Sequence, residues 1–293
     1  MTILITGANG QLGSELREAA PSHPQHRFIF TDLPELDITD ASAVRRMVKE
    51  QGVQAIVNCA AYTQVDRAED EEATADKINH LAVANLAQAA AESGALLVHI
   101  STDYVFGGQG NTPFTEQATP NPLGVYGRTK LAGEEAVRAS GCRSVILRTA
   151  WLYSTYGGNF VKTMRRLMAE REELKVVFDQ VGSPTYAADL AAAILHILHA
   201  PLPPEQCGTY HFTNEGVCSW YDFALAIRQL SGLSHCRVLP CRSWEFPAKV
   251  QRPAFSVLDK SAVKQTFGIS IPHWHESLCG CIRKLEKQAH NSR

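Results

Sequence analysis

The sequence lacks the features of a membrane or secreted protein. It contains no run of about 18 apolar residues, the length that a helix needs to cross a bilayer. The chain does not open with the basic, then apolar, then small-residue pattern of a signal peptide, because residues 2–5 run directly into a glycine turn. We therefore expect a cytoplasmic protein with no membrane partner.

The sequence also lacks an excess of positive charge and any paired cysteine motif. Lys and Arg together number 28 and Asp and Glu 30, whereas a surface that binds a phosphate backbone is strongly basic. Nucleic acid is therefore not an expected partner. The eight cysteines are scattered, without the C-x-x-C spacing of a structural zinc site, so we expect free thiols and assign no metal ligands.

What the sequence does contain is an alternation of short apolar runs with longer amphipathic segments. The runs are rich in Val, Ile, Leu and Ala, which is typical of parallel strands buried on both faces. This alternation predicts an α/β protein with a Rossmann-type, doubly wound parallel sheet. The predicted strands are residues 3–6, 27–31, 55–58, 96–100 and 144–147, and the predicted helices are residues 11–20, 41–50, 79–93 and 126–140.

The pattern changes after residue 150. We predict a dinucleotide-binding domain at residues 1–150 and, at 151–293, mainly a smaller C-terminal substrate lobe with short strands at 209–212 and 236–239. The chain is expected to return to the first domain around residues 174–200, because segments 175–178 and 187–199 have the apolar spacing of elements that cover a sheet.

A glycine-rich turn follows the first predicted strand. Gly7 permits a sharp turn, Gly10 lets backbone amides approach a pyrophosphate, and Gly13 lets the next helix pack on the strand. The spacing is G-x-x-G-x-x-G rather than G-x-G-x-x-G, so the motif alone is also compatible with a simple turn. Its position favours a cofactor site containing Gly7, Asn9, Gly10, Gln11, Leu12 and Gly13.

Further candidates for this cofactor site follow the second and third strands. Asp32 ends the second strand, where an acidic residue commonly binds the adenosine ribose, which favours NADH; the same Asp before Leu-Pro could instead begin a turn. Whether the cofactor is NADH or NADPH therefore stays open. The remaining candidates, which are equally compatible with ordinary loop packing, are Asp37 and Ile38 near the adenine and Ala60, Ala61 and Tyr62 near the ribose.

The candidate catalytic residues are Tyr126, Lys130 and Thr102. Tyr126 and Lys130 are four residues apart in a predicted helix and share one face. Carbonyl reduction needs a proton donor, and a cation near a phenol lowers its pKa towards the useful range. Thr102 follows the fourth strand, where it could hydrogen-bond the substrate carbonyl or cap a turn. Asp103 could position a sugar hydroxyl or hold this loop.

Several motifs in the same order suggest a family. Besides the glycine turn, they occupy residues 58–66, 101–106, 126–130, 148–153, 179–185 and 252–259. With these motifs the chain resembles the extended short-chain dehydrogenase/reductase superfamily and, within it, the dTDP-4-dehydrorhamnose reductase family. The resemblance implies an NADPH- or NADH-dependent reductase that converts the C4 ketone of dTDP-4-dehydro-β-L-rhamnose to dTDP-L-rhamnose, for cell-surface polysaccharide. Another nucleotide-sugar reductase, or a non-catalytic subunit with the same fold, remains an alternative.

The resemblance also implies roles for particular residues. Thr102, Tyr126 and Lys130 would form the catalytic trio, and the dTDP-sugar would contact Thr102, Asp103, Val105, Trp151 and Arg252. An Arg suits a diphosphate, and a Trp offers an apolar wall to a deoxysugar. Some relatives dimerise through Mg²⁺, and Glu15 matches one ligand, but the sequence lacks the others. We therefore interpret Glu15 as an acidic residue of a first helical turn and expect a monomer or homodimer.

Overall fold

The computed structural model describes residues 1–199, 201–246 and 248–291. Strands are numbered along the chain as β1 (Thr2–Thr6), β2 (Arg27–Thr31), β3 (Ala55–Asn58), β4 (Leu96–Thr102), β5 (Ser144–Thr149), β6 (Leu152–Tyr153), β7 (Glu173–Val177), β8 (Val181–Gly182), β9 (Thr185–Tyr186), β10 (Gly208–His211), β11 (Cys218–Ser219) and β12 (Arg237–Cys241). Helices are α1 (Gln11–Ala19), α2 (Ala41–Glu50), α3 (Val65–Ala68), α4 (Glu72–Asp76), α5 (Ala82–Ser93), α6 (Val125–Ala139), α7 (Phe160–Glu170), α8 (Ala187–Ile197), α9 (Trp220–Leu230), α10 (Ser261–Phe267) and α11 (Trp274–Asn291).

The central element is a six-stranded sheet in the order β10-β5-β4-β3-β1-β2. Every pairing in it is parallel. Alternate residues of β1 enter different cores: Ile3 and Ile5 pack with side chains of α1 and α8, and Leu4 packs with those of α2 and α5. Because successive side chains of a strand point to opposite faces, the sheet is covered by helices on both sides. The prediction of a Rossmann-type doubly wound sheet is confirmed.

The five strands predicted in the first half are all present in this sheet. The helices are present too, with one difference at the third. The predicted helix at residues 79–93 starts inside a π-helical turn, Lys77–Leu81, which connects α4 to α5. A π turn carries one extra residue per turn, and such turns occur often at functional sites.

In the second half of the chain, two strands belong to a different lobe from the one that the apolar pattern predicts. Helix α8 packs on α1 and covers the main sheet. Strand β10, predicted at residues 209–212 for the smaller lobe, instead pairs with β5 at the edge of the main sheet. Strand β7, predicted at 175–178 as part of the first domain, instead pairs with β12 in the smaller lobe. The apolar pattern of a strand indicates burial but not its pairing partner.

The smaller lobe has its own core. This core contains Tyr153, Phe223, Trp274 and Leu278 and joins α7, α9 and α11 to the β7–β12 pair. Ser219 caps α9, with a reciprocal hydrogen bond from the Ser219 amide to Asp222. No helix within the described ranges combines the length and apolar character that a membrane crossing requires.

Candidate active site

A cavity of about 520 Å³ lies at the carboxyl ends of β1, β2 and β3. Seven of the predicted cofactor residues line it: Gly7, Gly10, Asp32, Asp37, Ile38, Ala60 and Ala61. Its wall also includes residues that were not singled out in the sequence, among them Thr74, Lys77 and Ile78 of α4 and the π turn. Open doubly wound sheets bind ligands at the carboxyl ends of their strands, and this cavity has that position.

The glycine turn is shaped by close backbone contacts. Gly7 has φ +64°, and a Cβ there would lie 2.6 Å from the backbone nitrogen of Ala60. A Cβ on Gly13 would lie 2.5 Å from the Cα of Ala8, whereas one on Gly10 would meet only the Gly7 oxygen, at 3.2 Å. Gly7 and Gly13 thus allow tight packing, and Gly10 leaves space above the start of α1. The turn fits a dinucleotide diphosphate bound by backbone amides.

The side chains of four other predicted cofactor residues do not line this cavity. Leu12 is buried in the core, Gln11 accepts a hydrogen bond from Asn159, and the Tyr62 hydroxyl donates one to Glu71. The side-chain oxygen of Asn9 accepts from Arg17. Asn9, Gln11 and Leu12 belong to the turn itself, so a role for these three in cofactor binding would be through the main chain, whereas the amide and carbonyl of Tyr62 are both bound to the Asn79 side chain.

Asp32 holds the turn, one of the two roles that were open in the sequence. Its Oδ2 accepts a hydrogen bond from the Asn9 amide, and its Oδ1 accepts one from the Leu33 amide, both at 3.0 Å. The carboxylate therefore ties the glycine turn to the end of β2. It also lines the cavity, so it remains available to a ribose hydroxyl.

The catalytic candidates meet where β4 ends against α6. Lys130 is 1% exposed, and its Nζ donates to the Ile100 carbonyl at 2.6 Å. Burial lowers the pKa of Lys130 to about 8, although Glu134 opposes this shift. Burial raises the pKa of Tyr126, while the Thr102 hydroxyl beside it acts in the opposite direction. Tyr126 and Lys130 thus both face the end of β4, as their spacing predicts.

One expectation about Tyr126 is not met in this conformation. The groups that shift its pKa, besides burial, are Thr102, Asp103 and Tyr104. Among the described residues, Lys130 is not one of the groups that shift the pKa of Tyr126, although the sequence predicts that it lowers this pKa. The Lys130 ammonium is instead bound to the Ile100 carbonyl.

Thr102 and Asp103 form one small polar unit. The Thr102 hydroxyl donates to Asp103 Oδ1 at 3.0 Å and accepts from the Tyr104 amide at 3.2 Å, so it does cap the turn. Asp103 is 2% exposed, and no described donor has hydrogen-bond geometry to its Oδ2, although the Ser256 side chain lies near enough to oppose the rise in the pKa of Asp103. Burial raises the pKa of Asp103 to about 6. A buried carboxylate oxygen without a partner is costly unless a ligand satisfies it.

Two buried residues that the sequence analysis did not single out hold α6 in place. Glu134, fully buried, accepts hydrogen bonds from Ser101 at 2.6 Å and from Arg148 at 2.7 and 2.8 Å. Asn79, in the π turn, exchanges hydrogen bonds with the backbone of Tyr62 and donates to the Thr129 hydroxyl at 3.2 Å. Glu134 had a signal in the sequence, since it continues the Tyr126–Lys130 spacing by one more turn.

A second cavity, of about 710 Å³, lies between Asp66 of α3 and the smaller lobe. Arg252 lines it, pairs with Asp66 at 2.6 Å and lies 5.9 Å from the centroid of the Tyr104 ring. The Nη1 of Arg252 has no partner among the described residues. Other residues on this wall are Phe160, Lys175, Asp179, Gln180, Trp220, Ser243, Trp244 and Phe246.

The other predicted substrate residues differ in how they relate to this cavity. Trp151, with φ +49°, stacks on Trp220 with ring centroids 3.6 Å apart, and Trp220 rather than Trp151 lines the cavity. Val105 is fully buried in an apolar cluster with Phe106 and Leu258. The prediction that Val105 contacts substrate is therefore not supported by its position, because its side chain is part of the core.

Glu15 is buried, so its interpretation as an acidic residue of a first helical turn is wrong. It lies beyond the first turn of α1, where it accepts from Ser154 at 2.6 Å and pairs with Lys284 of α11 at 3.2 Å. A cation from the protein itself thus neutralises this carboxylate. Across the described ranges, no three or more His, Cys, Asp or Glu side chains are grouped to hold a metal ion.

Comparisons with known proteins cover nearly the whole chain. The family model described as RmlD substrate binding domain matches residues 1–287. A dTDP-4-dehydrorhamnose reductase of Burkholderia thailandensis is 39% identical over 300 residues, which cover 98% of this chain and 100% of the relative.

Two solved structures of dTDP-4-dehydrorhamnose reductases have the same fold. The one from Clostridium acetobutylicum has a TM-score of 0.92 and 45% identity, covering 98% of this chain and 100% of the other. The one from Bacillus anthracis, in complex with NADP, has a TM-score of 0.91 and 42% identity, with 97% and 99% covered. The similarity therefore includes the smaller lobe as well as the main sheet.

Proposed function

The chain belongs to the dTDP-4-dehydrorhamnose reductase family, and on this premise we propose that it reduces the C4 ketone of dTDP-4-dehydro-β-L-rhamnose with NADPH or NADH. The product is dTDP-L-rhamnose, a precursor for cell-surface polysaccharide. The observation that carries the proposal is the position of α6. Through Asn79 this helix is connected to the loop beside the first cavity, and through the Tyr126–Tyr104 ring contact it reaches Arg252 of the second.

The proposed chemistry requires a hydride for the carbonyl carbon and a proton for its oxygen. The nicotinamide supplies the hydride when the cofactor is bound. Tyr126 gives its phenolic proton to the oxygen and regains one from solvent after turnover. Thr102 donates to the same oxygen as negative charge develops there, and Lys130 holds the cofactor ribose. The low pKa of the buried Lys130 limits this role to the pH range in which its ammonium persists.

The substrate would occupy the cavity of about 710 Å³. Arg252 binds the diphosphate, for which its unpartnered Nη1 is free, and Lys175 is a second cation on the same wall. The unpartnered Oδ2 of Asp103 accepts a sugar hydroxyl. Trp151 supports this wall through its stack with Trp220. In this proposal residues 1–150, together with α8 and β10, form the cofactor domain, and most of the remaining chain forms the substrate lobe.

The cofactor preference is part of the proposal. Asp32 favours NADH through the ribose hydroxyls. Arg17 lies close by, bound to the Asn9 side chain at 3.4 Å and stacked over Phe30 at 5.1 Å, and its guanidinium suits the 2′-phosphate of NADPH. We propose that both cofactors bind.

The location and assembly of the protein also remain proposals. All eight cysteines are free thiols, which suits the reducing cytoplasm. A monomer and a homodimer are both compatible with the structure, and light scattering of the purified protein distinguishes them.

The test is a turnover assay with the purified protein. Near-ultraviolet absorbance follows oxidation of NADPH or NADH in the presence of dTDP-4-dehydro-β-L-rhamnose, made in place from dTDP-glucose by the two preceding enzymes. We expect cofactor oxidation with formation of dTDP-L-rhamnose. A product with a different configuration at C4 would indicate another nucleotide-sugar reductase. Cofactor binding without oxidation would indicate the non-catalytic subunit.

A further inference from the structure

Helix α6, which carries Tyr126 and Lys130, begins without a cap of its own. Its N-cap residue is Gly124, which has no side chain to accept a hydrogen bond from the first turn. The amide of Val125 instead donates to Oε1 of Glu69 at 2.7 Å, a residue 56 positions earlier in the chain. The first amides of a helix have no partner within it, and a carboxylate there is favoured by hydrogen bonding and by the helix dipole.

The space around Gly124 is matched to this carboxylate. A Cβ on Gly124 would lie 2.8 Å from Oε1 of Glu69 and 2.8 Å from Cγ1 of Val250. The backbone of Gly124 is extended, with φ −135°, so its conformation alone does not require glycine. The absent side chain is what lets Glu69 reach the start of α6.

The segment around Glu69 also lines the substrate cavity, through Asp66. We call residues 66–71 the acidic segment. Asp66 pairs with Arg252 on the substrate side, Asp70 pairs with Lys249, and Glu71 accepts a hydrogen bond from the Tyr62 hydroxyl. Glu69 lies between these contacts. The acidic segment therefore joins the start of α6 to the residues that line the substrate cavity.

We propose that Glu69 is a positioning residue for the reduction, acting through the first turn of α6 on Tyr126. This inference rests on the proposed role of Tyr126 as proton donor. Tyr126 directly follows the residue whose amide Glu69 binds, whereas Lys130 lies one turn later and has its own anchor at the Ile100 carbonyl. Loss of Glu69 therefore displaces the phenol more than the ammonium.

Because the phenol moves more than the ammonium, we expect loss of Glu69 to lower kcat without changing the KM for the cofactor. Glu69→Ala lowers kcat by about 10- to 100-fold, the range expected when a reacting group is misplaced by up to about 1 Å. The KM for the cofactor stays near its original value, because Lys130 keeps its position. Glu69→Gln, whose amide oxygen can still accept from Val125, restores most of kcat. Gly124→Ala, which pushes the carboxylate away while keeping Glu69, lowers kcat in the same direction.

The matched control is Glu72→Ala. Glu72 is another carboxylate beside α6, but it is exposed and pairs loosely with the Arg128 side chain at 3.7 Å rather than with the helix backbone. We expect unchanged kcat for this variant. A loss equal to that of Glu69→Ala would mean that general negative charge near α6, and not the bond to Val125, is responsible, and the proposal would be rejected.

Hydrogen–deuterium exchange at the start of α6 tests the positioning without turnover. We expect faster exchange around Val125 in Glu69→Ala, and exchange close to the original in Glu69→Gln and Glu72→Ala. Unchanged exchange, or unchanged kcat in Glu69→Ala, overturns the inference. If the original protein shows no turnover at all, the proposed function fails, and the exchange result still decides whether Glu69 holds this turn.

Discussion

The two cavities of this protein differ in what forms their walls: backbone contacts shape the cofactor cavity, and side-chain contacts shape the substrate cavity. The cofactor cavity is formed by loops that directly follow neighbouring strands, and its shape depends on backbone contacts such as that between Gly7 and Ala60. The substrate cavity is formed by side chains from α3, α7, β7 and the segments at 243–246 and 248–254, which are far apart in the chain. Ion pairs and ring stacks hold these side chains, as in Arg252–Asp66 and Trp151–Trp220.

This contrast predicts different responses to mutation. A wall formed by backbone atoms tolerates few substitutions, because a new Cβ meets main-chain atoms that are fixed by the sheet. A wall formed by side chains loses one contact with each substitution, so ligand affinity should decrease by a limited amount each time. The chemistry depends on α6, which connects the two walls, so the largest effects are expected there.

Tyr126→Phe should give the largest effect, a loss of about 10²- to 10⁴-fold in kcat, the usual scale for removal of a general acid. The Phe ring keeps the packing against Tyr104, so both cavities should remain intact. Steady-state kinetics measures the loss, and fluorescence titration with NADPH checks that cofactor affinity is retained. Near-normal turnover would remove Tyr126 from the proton-donor role.

Arg252→Ala should weaken substrate binding by about 10- to 100-fold, the range that corresponds to loss of a hydrogen bond to a charged group. The effect should appear in the KM for the dTDP-sugar, with the Kd for NADPH unchanged, because Arg252 lines only the substrate cavity. Arg252→Lys, which keeps the charge but loses the paired geometry, should be intermediate. An equal rise in the NADPH Kd would contradict the separation of the two cavities.

Gly7→Ala should weaken cofactor binding by at least about tenfold. A left-handed conformation costs a residue with a Cβ about 1–2 kcal/mol, and here the Cβ also meets the Ala60 backbone. Isothermal titration with NADPH measures the change. Gly141→Ala is the control, because Gly141 has a similar φ of +68° with open space around its Cβ position. Equal losses of affinity in both variants would show that strain, rather than the contact with Ala60, is responsible.

Asp103→Asn should change stability in a pH-dependent way. Its folded pKa, about 6, lies above the ordinary value of 3.8, so the original side chain stabilises the fold below pH 3.8 and loses that contribution as pH rises through 6. Between pH 4 and pH 7 the free energy of unfolding of the variant should therefore rise by roughly 1–3 kcal/mol relative to that of the original protein.

Thermal unfolding at both pH values measures this difference, and Asp37→Asn is the control, because the pKa of Asp37 is shifted in the opposite direction. Hydrogen bonds from Thr39 hold the pKa of the exposed Asp37 below its ordinary value, so Asp37 contributes stability that is lost as pH falls. Because the folded pKa of Asp37 lies below its ordinary value of 3.8, the relative stability of Asp37→Asn should change little between pH 4 and pH 7 and should rise only as pH falls below 3.8. A pH-independent effect of Asp103→Asn would contradict the raised pKa of Asp103.

The sequence by itself determined the parts of this protein that depend on local pattern. Buried strands are continuous apolar runs, so all five predicted strands of the main sheet are present. A glycine turn after the first strand, and a Tyr and a Lys four residues apart, indicate a cofactor turn and a helix face because their spacing maps directly onto geometry.

Only the tertiary structure decided which distant segments meet. It placed β10 in the main sheet and β7 in the smaller lobe, buried Val105, and brought Glu69 to Val125 across 56 positions. The physical reason is that strand pairing and side-chain contacts depend on the complementarity of two surfaces, and a local sequence pattern describes only one of them.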